Sequence, residues 1–146
     1  MYDRILVPTD GSVAADRAFE RALDLAETYD AEMHLVYVVD VSALAGEFDA
    51  ITIVDRLEEA GEEITQRLRE RAEDAGVERV VTAVVEGVPH RTLLDYADDN
   101  DADIIVMGTH GRTGLDRYLL GSVTERVVRK ADVPVLTVRG DDESAE

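Results

Sequence analysis

The sequence predicts an α/β fold: a single five-stranded parallel sheet with helices on both faces, of the Rossmann-like nucleotide-binding kind. Two observations carry that prediction. Five short apolar runs rich in Val and Ile alternate with four segments of helical period, and parallel strands need helix-length, right-handed returns between them. A length of 146 residues also fits one domain, since domains most often run to about 100–150 residues.

The elements follow in order. RILVPT (4–9) is a short buried strand stopped by Pro8, and SVAADRAFERALDLAETY continues at helical spacing, with Ala15, Ala18, Ala22, Leu25 and Tyr29 on one face. EMHLVYVVDV (32–41) is too β-branched and too short to prefer a helix. After a connection around SALAGEFDA, a long amphipathic helix is marked by Ile53, Leu57, Ala60, Ile64, Leu68 and Ala72. It ends before Gly76, a C-cap glycine. RVVTAVVEG is a third strand, and Pro89 opens a short helix running to about Asn100. ADIIVMG (102–108) reads as a strand buried on both faces. A glycine-rich stretch then leads into a helix through Lys130, and VPVLTVR (133–139) closes the pattern. Residues 1–140 form the domain, and 141–146 an acidic tail expected to be disordered.

Composition removes several function classes. The chain has no cysteine, which excludes disulfides, thiolate nucleophiles and cysteine metal sites and fits a reducing compartment. No segment approaches the ~18 consecutive apolar residues of a membrane span, and the N-terminus lacks a signal peptide's apolar region, so the expected location is cytoplasmic. The formal net charge is −18, from 33 acidic and 15 basic residues. Such a charge repels polyanions, so neither nucleic acid nor an anionic membrane is expected as a partner. It reads as adaptation to high salt, where screening shortens self-repulsion to about 3 Å at 1 M.

In parallel sheets of this kind ligands bind at the carboxyl ends of the strands, where the winding direction reverses. Two stretches are candidates. At the end of strand one, PTDGS (8–12) offers the Asp10 carboxylate to a ribose diol, while Gly11 permits a tight turn. The plainer alternative makes Asp10 or Ser12 a helix cap. At the end of strand four, GTHGRTGLDRYLLGS (108–122) repeats glycine at 108, 111 and 114, which lets backbone N–H groups face phosphate oxygens. Gly121 and Ser122 then open a helix, whose first N–H groups and dipole favour an anion. SVTE (122–125) also reads as a capping box closed by Ser122 and Glu125.

Residues 110–130 carry Arg112, Arg117, Arg126, Arg129 and Lys130 against Asp116 and Glu125, a local sum of +3, which suits a polyphosphate. There is no GxxxxGK[ST], which excludes a P-loop NTPase, and no GxGxxG after strand one. His34 and His90 read as structural or exposed; His110 lies in the glycine loop but without a triad. No His, Asp or Glu cluster has metal spacing.

The pattern Gly, two residues, Gly, nine residues, Gly-Ser is matched by Gly108, Gly111, Gly121 and Ser122. With MGTHGRTG, LLGSVTERV and a likeness running from YDRILVPTDGS to VPVLTVR, the chain resembles the ATP-binding branch of the universal stress proteins. That resemblance implies strand order 3-2-1-4-5 and ATP across the carboxyl ends of strands one and four. Pro8, Thr9 and Asp10 would lie by the adenosine, with Asp10 on the ribose, and Val38 would contact adenine by its backbone. Met107 and Gly108 would line the nucleoside. Gly111, Gly121, Ser122, Val123 and Thr124 would hold the phosphates, approached by Arg112. Mg2+ or Mn2+ would travel with the phosphates, with no assigned protein ligand. A homodimer through residues 133–139 is also implied, and the apolar last strand has little besides Pro134 to blunt its edge.

The expected function is that of an ATP-binding stress-response protein, a sensor or switch with at most slow hydrolysis, because no general base or held transition-state arginine is evident. No catalytic residue is assigned. The alternative is a nucleotide-dependent enzyme on the same fold, an ATPase or an adenylyl-transferring protein. A receiver domain is disfavoured: it would place a phosphorylatable Asp after strand three, where this chain has EGVPH.

Overall fold

The computed structural model describes residues 1–42, 49–110 and 120–140. The elements run β1 (Arg4–Pro8), α1 (Val13–Tyr29), β2 (Glu32–Asp40), α2 (Ala50–Asp74), β3 (Val80–Gly87), α3 (Pro89–Asp99), β4 (Ile104–Gly108), α4 (Ser122–Lys130) and β5 (Val135–Val138). They build one parallel sheet in the order β3-β2-β1-β4-β5. The fold class and strand order are therefore those expected, and the chain reverses its winding direction between β1 and β4. The tail at 141–146 lies outside the described residues.

The two-residue alternation of a strand divides the core into two halves. Ile5, Val7, Met33, Leu35, Ile104 and Val106 face α1 and α2, where they meet Phe19 and Leu68. Leu6, Val36, Ile105 and Met107 face the other way, onto Leu93 of α3 and Val127 of α4. Neither set tolerates a one-residue slip, which would exchange the faces of a whole strand.

Boundaries shift for local reasons. β5 begins at Val135 because Pro134 has no N–H, although its carbonyl accepts from Ile105 N–H at 3.0 Å. On α2 the fully buried positions are Gly61, Thr65, Leu68 and Ala72, while Ile53, Leu57, Ala60 and Ile64 are half-buried. Hydrophobicity alone misplaces that face. Thr65 satisfies its hydroxyl on the Gly61 carbonyl at 2.8 Å and so can be buried. A Cβ at Gly61 would stand 2.5 Å from the Tyr37 ring. On α1 the buried face is Ala14, Ala15, Ala18, Phe19, Ala22 and Ala26, whereas Leu25 is half-buried and Tyr29 exposed. Gly76 follows α2 at φ +102, as its C-terminal position requires.

Candidate functional site

The carboxyl ends of β1 and β4 are adjacent in the sheet, and the predicted residues that are described lie on the segments around them. Beyond Pro8, the buried Thr9 extends the pairing by one bond, its N–H donating to the Val36 carbonyl at 2.9 Å. The chain then turns through Gly11 at φ +80, a backbone state that costs glycine little. Asp10 Oδ1 accepts from Ser12 N–H at 2.9 Å, and Ser12 Oγ accepts from Ala15 N–H at 3.2 Å. Ser12 is thus the N-cap of α1. Asp10 is the residue that fixes the turn, with a half-exposed carboxylate at the sheet's crest.

β2 runs past β1. Their register ends at Pro8 opposite Val36, while β2 continues to Asp40 along β3. Main-chain groups alternate sides along a strand, so Val38 presents its N–H and carbonyl to the same side as Val36, where β1 has already ended. That edge is suited to hydrogen bonds from a planar heterocycle.

At the end of β4, Gly108 packs against α1. A Cβ there would lie 2.6 Å from the Ala14 Cβ and 2.9 Å from its carbonyl carbon, and a Cβ at Gly140 would meet Ala14 as closely, at 2.7 Å. Ala14 is therefore the seat on which the ends of β4 and β5 both rest. Sequence reasoning missed this residue; the run of small side chains in GSVAA was its signal. The Met107 side chain is buried in the α3–α4 half of the core, so only its backbone reaches the crest. Thr109 follows, with its N–H donating to the Val138 carbonyl at 2.9 Å and its own carbonyl accepting from Gly121 N–H at 2.7 Å. Gly111 and Arg112 lie outside the described residues.

Gly121 is the N-cap of α4, and a Cβ on it would approach the His110 Cα to 3.0 Å. The expected capping box is not formed. Ser122 is the first helical residue rather than the cap, one position too late to reach back, and among the described residues no side chain caps the helix. Glu125 instead pairs with Arg129 at 2.6 Å. Consequently, among the described residues, the N–H groups of Ser122, Val123 and Thr124 have neither an intrahelical partner nor a side-chain cap. Three donors at the positive end of a nine-residue helix are what a phosphate group requires. Ser122 is exposed beside them, whereas Thr124 is buried and commits its hydroxyl to the Gly108 carbonyl at 2.8 Å.

The basic excess of 110–130 divides. Arg112 and Arg117 are outside the described residues, and Arg129 and Lys130 occupy the last turn of α4, where they complement the negative end of the dipole. At 1.5 Å per residue they stand about 10 Å along the helix from Ser122. They do not form part of a phosphate cradle.

The histidines separate by role. His34 is buried with both ring nitrogens engaged, Nδ1 with the Tyr96 hydroxyl at 2.7 Å and Nε2 with Glu32 at 2.6 Å. His90 is buried at the start of α3, and burial, then the nearby Arg126 charge, lowers its pKa. His110 Nδ1 lies 3.2 Å from the Thr109 hydroxyl, at the crest. Among the described residues no group of three or more His, Asp or Glu could hold a metal, and no helix is long and apolar enough to cross a membrane. A shallow groove of about 340 Å³ along α2, lined by Arg56, Glu59, Glu63 and Arg67, lies on one helix away from these converging groups.

Comparison with known proteins adds the following. The model of the universal stress protein family matches residues 1–139. Universal stress protein MJ0531 of Methanocaldococcus jannaschii is 43% identical over 142 residues, covering 95% of this chain and 83% of that protein. The solved structure of MJ0577, from the same organism, superposes with a TM-score of 0.88 at 34% identity, covering 98% of this chain and 99% of the other. A universal stress protein solved in complex with cAMP is similar at a TM-score of 0.70 and 28% identity, over 96% of this chain and 98% of that one.

Proposed function

The chain belongs to the universal stress protein family, and from that premise we propose that it is an ATP-binding regulatory protein, a nucleotide-dependent sensor or switch with at most slow hydrolysis. The observation that carries this reading is the uncapped start of α4. Three main-chain donors that have no partner among the described residues stand next to the end of β4, at the reversal point where such sheets take ligands. In this reading Asp10 accepts from the ribose hydroxyls, the free edge of Val38 meets adenine, and Pro8, Thr9, Met107 and Gly108 shape the floor. Gly121, Ser122, Val123 and Thr124 hold the phosphates, Thr124 by its backbone, with Gly111 and Arg112 completing the loop.

Among the described residues the side chains do not form a metal site by themselves. Mg2+ or Mn2+ would be held by the phosphate oxygens. β5 is an edge strand with Leu136 40% exposed, which supports antiparallel pairing with a second copy.

Calorimetric titration with ATP and magnesium tests the reading. Saturable heat is expected with the natural chain and much weaker binding in Asp10→Ala; no heat with the natural chain overturns it. One observation favours the alternative of a nucleotide-dependent enzyme: the Thr109 hydroxyl sits within hydrogen-bond reach of His110. Multiple-turnover phosphate release that is lost in His110→Ala would establish that reading instead.

A further inference from the structure

The sheet has two outer strands, and β3 is the longer of them, with eight residues against four in β5. On its inner side β3 pairs with β2 residue for residue from Val80 to Gly87, with no bulge. Just before it the Met33 N–H donates to the Arg79 carbonyl at 3.0 Å, and main-chain groups alternate sides along a strand. Val81, Ala83 and Val85 therefore turn theirs to β2, while Val80, Thr82, Val84 and Glu86 turn theirs outward. Those outward groups have no main-chain partner among the described residues. Outer strands are ordinarily blunted by Lys, Pro or a bulge; VVTAVV (80–85) has neither charge nor proline. Side chains alternate as well. Val80 packs into the α1–α2 half of the core, and Ala83 and Val85 against the other half, so Thr82, Val84 and Glu86 stand on the α2 side.

That side carries negative charge with nothing to balance it. Glu86 stands against Glu58 of α2, with Asp55 and Glu62 nearby on the same helix. Among the described residues none of these four carboxylates has a cation within ion-pair distance. The hydrogen bond between Glu58 and Glu86, then burial, then the charges of Glu86, Asp55 and Glu62 raise the Glu58 pKa. We propose that the free edge of β3 is a docking site for an extended, basic segment of a partner protein, added to the sheet as a further strand with its Lys or Arg side chains against the acidic flank of α2. The main chain of β3 supplies the hydrogen bonds, and the α2 flank supplies the selectivity. The spacings agree: Glu58 and Glu62 are one helical turn apart, about 6 Å, and alternate side chains of an extended segment are about 6.8 Å apart. A second copy of this chain does not fit. It would bring its own Asp55, Glu58, Glu62 and Glu86 to the same margin, where like charges repel. The site lies at the margin opposite β5 and does not depend on the nucleotide reading.

The test is a nuclear magnetic resonance titration of the full chain with an octapeptide, the length of β3, alternating Lys and Thr. The amide resonances of Val80, Thr82, Val84 and Glu86 are expected to move and their hydrogen exchange to slow, while Val81, Ala83 and Val85, already bonded to β2, keep their rates. Glu58→Gln, Glu62→Gln and Glu86→Gln together should weaken binding about tenfold, as for three surface ion pairs. A control with Glu59→Gln, Glu63→Gln and Glu70→Gln, exposed positions on another face of α2, loses the same charge and should bind as the natural chain does. Thr82→Pro removes one outward N–H without touching the β2 pairing and should abolish the alternating pattern; if that variant fails to fold, the two carboxamide sets decide. The absence of saturable binding overturns the proposal. So do shifts without the alternation, which would mean adsorption to charge alone, and an equal loss in the control. Equal binding of an octapeptide alternating Glu and Thr overturns the choice of a basic partner. The same amide pattern appearing with chain concentration alone overturns it too, by assigning the edge to a second copy.

Discussion

Ser122→Ala separates two roles that the sequence superimposes on one residue. If Ser122 were the N-cap, its loss would cost about 1 kcal/mol of stability. Gly121 is the cap and Ser122 is the exposed first residue of α4, so the variant should unfold within about 0.5 kcal/mol of the natural chain, as an exposed substitution does. Binding should respond differently. A hydroxyl donating to a charged phosphate contributes about 1.5–3 kcal/mol, equivalent to a roughly 10- to 150-fold rise in the ATP Kd at 1.4 kcal/mol per decade. Calorimetry with ATP and magnesium gives the second quantity, and urea unfolding at the same salt gives the first. Unchanged affinity in a folded variant would show that the hydroxyl does not touch phosphate. A stability loss near 1 kcal/mol would show that the cap assignment is wrong.

Two further outcomes follow from the packing and electrostatics. Gly108→Ala sets a methyl 2.6 Å from the Ala14 Cβ and 2.9 Å from its backbone carbon; an overpacking cost of about 2 kcal/mol is expected, read as a Tm lower by about 5 °C. An unchanged Tm would mean that α1 can retreat from β4 freely. His90, whose pKa is lowered by burial and then by Arg126, takes up a proton less readily folded than unfolded. Its contribution is therefore complete above the unfolded value of about 6.5 and is lost as pH falls below it towards the folded value. Urea midpoints should drop between pH 7 and pH 5.5, and His90→Gln should flatten that slope; an equally steep slope in the variant would refute the assignment.

The order and type of every element were legible because each strand is a compact β-branched run and each helix carries its own apolar stripe. The strand order came instead from the resemblance carried by Gly108, Gly111, Gly121 and Ser122, since alternation alone does not say which strands are neighbours. The finer details were not legible for one cause: a residue's job depends on what the fold sets against it. Gly108 reads as a glycine of the binding loop, and close packing against Ala14 on α1 is a second requirement for glycine that the sequence does not display. SVTE has the letters of a capping box, yet whether Ser122 is cap or first helical residue is decided by how Thr109 fastens Gly121. Between Asp10 and Ser12 as the cap of α1, the sequence left the choice open, and Ser12 takes it while Asp10 holds the turn. The +3 of residues 110–130 looked like one patch, although a helix carries Arg129 and Lys130 to its opposite end.

Thr109 has a mechanical meaning beyond the binding site. Its two main-chain bonds, one to Val138 and one to Gly121, splice the outermost strand to the first turn of α4. The sheet's margin cannot slide relative to that helix without breaking one of them, at about 0.5–1.5 kcal/mol. Displacement of the outer edge is therefore coupled through Thr109 to the first turn of α4, in parallel with the direct pairing of β5 to β4.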